Sequence, residues 1–291
     1  MRLSAILILL FAALMHALWN YLAKSARDSR AFIWCLVITS CAYLIPISLV
    51  LSARGYPLPP RGILLALVSG FVQAMYFISL ARAYEKGDLS IVYPLSRSIS
   101  LVLLPMIAYL FLSERLSGLG FVGIGSVLVG IYVLQMQELS FRSLGKPILA
   151  LAQRPQLWAI ATGLCTTGYS ALDKAGMVTG VHPLVYYNGT TLVILLALAP
   201  AAFARRAAIR EEWGRGWRRI LVAGLLMPAS YGLALYIMKT DAASYVLAVR
   251  QVSVVLGVLI GSIVLREPYG GIRLLGGVAI FIGVAFIGLA R

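Results

Sequence analysis

Charge is what this sequence has least of. Asp, Glu, Lys and Arg make up 12% of its 291 residues, roughly half the share of a soluble globular domain. Histidine occurs twice and cysteine three times. Cys35, Cys41 and Cys165 all lie in apolar runs, and their odd number and spacing argue against a disulfide framework or a zinc site. No P-loop is present, which excludes nucleotide hydrolysis by that motif. The alternation of apolar and polar residues that marks a membrane β-barrel is also absent.

What is present is apolar. Hydrophobic residues make up 61% of the chain, with a mean hydropathy of +0.92. They recur in blocks of about 20 residues, the length needed to cross a hydrocarbon core of about 30 Å. Ten blocks can be drawn, at 3–23, 31–51, 62–83, 89–111, 118–137, 156–174, 182–204, 220–239, 243–265 and 270–290. The expected fold is an all-α polytopic membrane protein. The opening run, MRLSAILILLFAALMHALWN, continues past the length of a signal-peptide core without a small-residue cleavage site, and reads as a retained first helix. The links at 138–155 and 205–219 are polar or basic and too short for a soluble domain.

The net charge of +15 is scattered over the links, which does not suit nucleic acid. The densest run, RRAAIREEWGRGWRR at 205–219, reads as a loop at a membrane surface. Its arginines would meet anionic headgroups and its tryptophans the interface.

The chain repeats itself. At an offset of 153, Lys86 falls on Lys239, Asp88 on Asp241, Arg97 on Arg250, Ser100 on Ser253 and Glu114 on Glu267. Gly118, Gly123, Ser126 and Gly130 fall on Gly271, Gly276, Ala279 and Gly283. At an offset of 150, His16, Trp19, Asn20 and Lys24 fall on Thr166, Tyr169, Ser170 and Lys174. Two five-helix repeats result, 1–137 and 156–291, joined by a linker at 138–155. Five is odd, so the second repeat enters the membrane from the opposite side. Inverted repeats of this kind are how secondary transporters place a substrate site near the midplane.

The sequence resembles the drug/metabolite transporter superfamily, in its ten-helix EamA-like branch. The residues that carry the likeness are HALWNYLAK (16–24), LSERLS (112–117), VLREPYG (264–270) and the glycine-rich fifth and tenth blocks. The resemblance implies helices around a central cavity, alternating access and cytoplasmic termini. The basic residues pull the other way. Arg2, Arg54, Arg61, Arg115, Lys174, Lys239 and Arg291 would share the terminal side, and most others would lie opposite. A positive-inside count would therefore place the termini outside. The expectation favoured is a multi-pass protein of the cytoplasmic (inner) membrane with cytoplasmic termini.

Arg97 and Arg250 are the foremost candidates for substrate binding. An arginine at the centre of a membrane helix costs about 2.5–3.5 kcal/mol on insertion scales, and such charges are functional by default. Guanidinium pairs well with carboxylate or phosphate. Tyr93 and Ser100 share a face with Arg97, and Ser253 shares one with Arg250. Alternatively the arginines are struts tied to protein groups, with Asp173 the closest candidate acid. His16, Trp19 and Asn20, with Tyr169 and Ser170, could orient a substrate or simply join helices. His16 is also the obvious proton carrier if transport is proton-coupled. Tyr76 and Tyr187 are further pocket candidates. Glu114, Glu267 and Asp173 are assigned gating or structural roles. Ser126–Gly130 and Ala279–Gly283 have the small-xxx-small spacing of close helix contacts.

The stretch GYSA (168–171) resembles the core of an intramembrane serine protease, but its serine has no base in reach and no enzyme activity is expected. The expected function is secondary transport of a small anionic or zwitterionic metabolite, such as an amino acid, organic phosphate or phosphonate. The alternatives are a flippase for a lipid-linked headgroup and a non-transporting receptor or scaffold. Expected partners are the substrate, the lipid bilayer and protons or a counter-solute, with no cofactor or metal. The protein would act as a monomer or homodimer.

Overall fold

The computed structural model describes residues 1–86, 89–134, 136, 154–253, 255–256 and 270–290. Ten α-helices and no strands occur among them: α1 (Leu3–Lys24), α2 (Ser29–Ala53), α3 (Pro60–Lys86), α4 (Leu89–Leu112), α5 (Gly118–Leu134), α6 (Arg154–Val178), α7 (Pro183–Phe203), α8 (Arg206–Met238), α9 (Ala243–Arg250) and α10 (Gly270–Leu289). Helices satisfy every internal backbone group within one segment, which is what a chain in lipid requires. Stretches of α1, α2, α3, α7 and α8 are long and apolar enough to cross a membrane. Shorter apolar stretches fill Ser96–Leu112, Gly118–Val133 and Leu275–Leu289. Leu64, Leu67, Val68, Phe71, Met75 and Ile78 of α3 are all exposed, as suits a surface bathed by acyl chains.

Helix ends are set by local chemistry. Asp28 caps α2, accepting from the Arg30 and Ala31 N–H groups at 3.0 Å each. Its other end closes through Gly55 at φ 79°. There the Gly55 N–H reaches Ser52 O at 3.0 Å and the Tyr56 N–H reaches Leu51 O at 3.2 Å. That left-handed turn is a Schellman cap, which glycine adopts without steric cost. α7 begins at Pro183, whose missing N–H costs nothing at a helix start, behind a His182 cap.

The basic run at 205–219 is helical rather than a loop. α8 starts at Arg206 and passes through a break at Gly216 (φ −137°, ψ 25°) into its apolar portion. Gly214 and Gly216 read as breakers in the sequence, but the surrounding Ala, Arg, Glu and Trp sustain helix and the break is only a kink. Trp213 and Trp217 are exposed. This segment is anchored at α2: Arg27 bonds Glu211 at 2.8 Å, the Asp28 N–H bonds Glu212 at 2.8 Å, and Arg205 pairs with Asp28 at 2.6 Å.

The helices form two compact units, each drawing on both halves of the chain. One holds Met1–Leu10, Met75–Ala171 and Asp241–Arg291. Its most extensive contact is between α5 and α10. A Cβ at Gly123 would fall 2.8 Å from Gly283 O, and one at Gly130 would fall 2.6 Å from Gly276 O. Gly123 repeats as Gly276 and Gly130 as Gly283, so exchanging the repeats turns one contact into the other. The helices run antiparallel. The local two-fold axis is therefore perpendicular to them, in the plane of any membrane they cross. Close backbone approach substitutes here for hydrophobic attraction, which lipid does not supply. The seam uses Gly123, Val127 and Gly130, spaced i, i+4 and i+7; Ser126 of the expected Ser126–Gly130 pair is only half-buried.

The other unit holds Phe11–Ala74 and Leu172–Thr240. A Cβ at Gly70 of α3 would meet Thr190 O and Val193 Cβ of α7. A Cβ at Gly224 of α8 would meet Leu36 O and Thr39 Cβ of α2. Thr190, Val193 and Gly224 each lie 154 positions after Leu36, Thr39 and Gly70. The repeat is again visible as paired contacts. α2 and α7 are antiparallel: Asp28 before α2 meets Arg205 after α7, and Tyr56 after α2 meets His182 before α7 at 5.0 Å.

Candidate functional site

In the first unit, α4 and α9 pack against each other. Each carries one of the duplicated arginines, and Arg97 and Arg250 are both half-buried. Ser100 is fully buried and returns its hydroxyl to Arg97 O at 2.9 Å. Such a local bond satisfies the hydroxyl within its own helix and leaves Ser100 little to offer a ligand. Ser253 is buried just beyond the end of α9. Tyr169 is buried and meets the half-buried Tyr76 edge to face at 5.8 Å; Ser170 is buried beside it. Gly163 lets α6 approach α4, because a Cβ there would lie 2.8 Å from Ser96 O. The side chain of Tyr93 lies outside those described, as do Glu267 and most of the 138–155 linker.

Glu114 follows Ser113, which adopts a left-handed φ of 55°. The turn directs the Glu114 carboxylate to the start of α9, where it accepts from the Ala243 N–H at 2.8 Å and from Ser244 Oγ at 3.4 Å. α9 has no side-chain cap of its own from Ala242. A carboxylate at that position satisfies an open N–H and opposes the positive end of the helix dipole.

In the second unit the most concentrated polar arrangement is centred on Asp173 of α6. Its side chain is fully buried, and no other acid among the described side chains is. Oδ1 accepts from Ser69 of α3 at 2.5 Å and from Tyr186 of α7 at 3.0 Å. Oδ2 accepts from the phenol of Tyr231 of α8. Gln73 donates to Ser69 Oγ at 3.2 Å, so a second polar group backs the first. Tyr187 packs against Tyr231 with ring centroids 4.9 Å apart. Lys174 donates to Met238 O at 2.8 Å. Three hydroxyl donors on two oxygens suit an ionised carboxylate, which can only accept. Four helices thus converge on one residue.

The α1 group is also in this unit. His16 and Trp19 meet edge to face at 5.0 Å, and Asn20 donates to His16 O at 2.7 Å. That bond takes an Asn20 donor for its own helix. The Trp19 indole N–H is buried with no acceptor among the described residues. Ser69, Tyr186 and Tyr231 are not among the site residues to which the sequence points. Its signal for them is weak: Ser69 and Gln73 are one helical turn apart, and Tyr231 lies close to Pro228.

At the α7 end, burial and then the positive charge of Lys239 hold His182 below the usual imidazole value. The neutral ring accepts from the Leu184 N–H at 3.3 Å through Nδ1. At the opposite end of α2, burial pushes the Asp28 carboxyl up, but the Ala31 N–H and Arg205 outweigh it and hold the group below the carboxylate norm.

Comparison with known proteins agrees with this doubled architecture. No curated protein matches the chain. A solved structure described as "Crystal structure of protein" has 17% identity, a TM-score of 0.70 and coverage of 99% of both chains, which establishes a shared fold. The EamA-like transporter family model matches twice in tandem, over residues 3–136 and 153–289. The chain is a multi-pass membrane protein that belongs to the EamA-like transporter family.

Proposed function

We propose that this transporter moves a small anionic or zwitterionic metabolite, of the amino acid, organic phosphate or phosphonate class, by alternating access. The observation that carries the reading is the duplicated arginine. Arg97 and Arg250 occupy equivalent positions of the two repeats, on helices that pack together, and both are half-buried. A guanidinium fork binds carboxylate and phosphate oxygens in pairs. The energy source in this reading is a gradient or exchange. The protein resides in the cytoplasmic membrane with its termini on the cytoplasmic side.

The test is a thermal-shift screen of the purified protein against amino acids, phosphonates and nucleotides. A ligand that binds only the folded state raises the melting temperature by mass action. Stabilisation by one of these classes, reduced in Arg97→Ala and Arg250→Ala, is the expected result. Stabilisation by a lipid phosphate headgroup alone would replace this reading with a flippase.

A further inference from the structure

The carboxylate of Asp173 joins four helices, and it serves all three of its hydroxyl donors best in its ionised form. Ser69 of α3, Tyr186 of α7 and Tyr231 of α8 all donate to it, and α6 supplies the acceptor. A carboxyl that gains a proton becomes a donor at one oxygen. The phenol bonded there then loses its charged acceptor and meets a competing donor. We infer that Asp173 is a proton-binding site whose occupancy unlatches α8 from α3, α6 and α7.

The placement suits this role. Asp173 is five residues from the end of α6, about 7–8 Å at 1.5 Å per residue, so a proton entering from that end of the helix has a short way to go. The titratable groups hydrogen-bonded to it are the phenols of Tyr186 from α7 and Tyr231 from α8, while α3 contributes the hydroxyl of Ser69 backed by the amide of Gln73. Lys174, next on α6, directs its ammonium to Met238 O at the end of α8. The tie is strong when made, because hydrogen bonds to ionised groups are about twice as strong as neutral ones. It is lost in part when one proton arrives. That combination describes a switch better than a strut, for which an uncharged pair would serve at lower desolvation cost. The inference rests on the transport reading only in making this release a step of transport.

The test therefore uses the proton alone as ligand. The purified full chain is titrated from about pH 8 to about pH 4, a span covering buried and solvated carboxyl groups. Infrared difference spectra report the carboxylic acid carbonyl. Hydrogen–deuterium exchange, corrected for its intrinsic pH dependence, reports peptides containing Ser69, Tyr186 and Tyr231. Acid should produce an acid carbonyl band and faster exchange in those peptides. Asp173→Asn should lack the band and exchange fast at every pH. Tyr231→Phe keeps the carboxylate but removes a donor to its charged form. Its onset should move to higher pH by about 1–2 units, which keeps the test open if Asp173→Asn folds poorly. An acid response that persists unchanged in both variants, or its absence from the parent protein, would overturn the proposal. Neither outcome depends on the substrate.

Discussion

Gly123 of α5 lies so close to Gly283 of α10 that a Cβ on it would stand 2.8 Å from the Gly283 carbonyl oxygen. The contact at Gly130 is its repeat-related equivalent. The obstructing atom at Gly130 is also backbone, at 2.6 Å, so no side chain can swing aside. Gly130→Ala should therefore destabilise by about 1–3 kcal/mol, the usual cost of overpacking. Gly125 of the same helix has open space around it, with nothing within 4 Å of the place a methyl group would take. Gly125→Ala should be neutral or stabilising by up to about 1 kcal/mol, the helix-propensity difference. Melting both variants in one detergent checks the pair.

The doubled helical plan was legible because charge is so rare here. Lys86, Asp88, Arg97 and Glu114 stand out against apolar residues, and their return 153 positions later exposes the repeat. The seam partners were less legible, since Ser126 and Gly123 both fit a small-residue pattern and only packing chooses between them. The helical form of 206–216 was hidden by two glycines and by its charge. The Asp173 arrangement was hidden for another reason. Ser69 and Tyr231 lie 104 and 58 residues from it, and no sequence periodicity links three helices to one carboxylate.

Glu114 predicts a graded series. Glu114→Ala removes the acceptor for the Ala243 N–H and should cost about 0.5–2 kcal/mol, the range for lost helix caps. Glu114→Gln retains an acceptor oxygen and loses only the charge, so it should fall between the parent and the alanine variant. Equal melting temperatures for all three would show that the contact does not stabilise α9.

His182 predicts a pH dependence of known sign. Its folded value is held below 6.5, so the unfolded chain takes up the proton first on acidification. The contribution is fully present above about pH 6.5 and is lost as pH falls through the lower folded value. The protonated ring also cannot accept from Leu184. Asn at this position is a good cap without a titrating group. His182→Asn should therefore flatten the acid limb of the melting-temperature profile, and an unchanged limb would assign it to other groups.

The arginines can be tested against their structural alternative on the same purified samples. Arg97→Ala and Arg250→Ala should still insert, because removing a charge makes a membrane helix easier to insert. If each guanidinium binds the anionic part of the substrate, either variant should lose about 1.5–3 kcal/mol of binding, or about 10–100-fold in affinity. Arg→Lys at either site keeps the charge without the planar fork and should recover only part of that loss. A strut behaves in the opposite way. It would lower the melting temperature while leaving affinity per folded molecule unchanged. Calorimetric binding and melting of each variant, using the best solute from the thermal-shift screen, separate the two. Normal binding by both alanine variants with earlier melting would make the arginines structural, and the transported group would have to be recognised elsewhere.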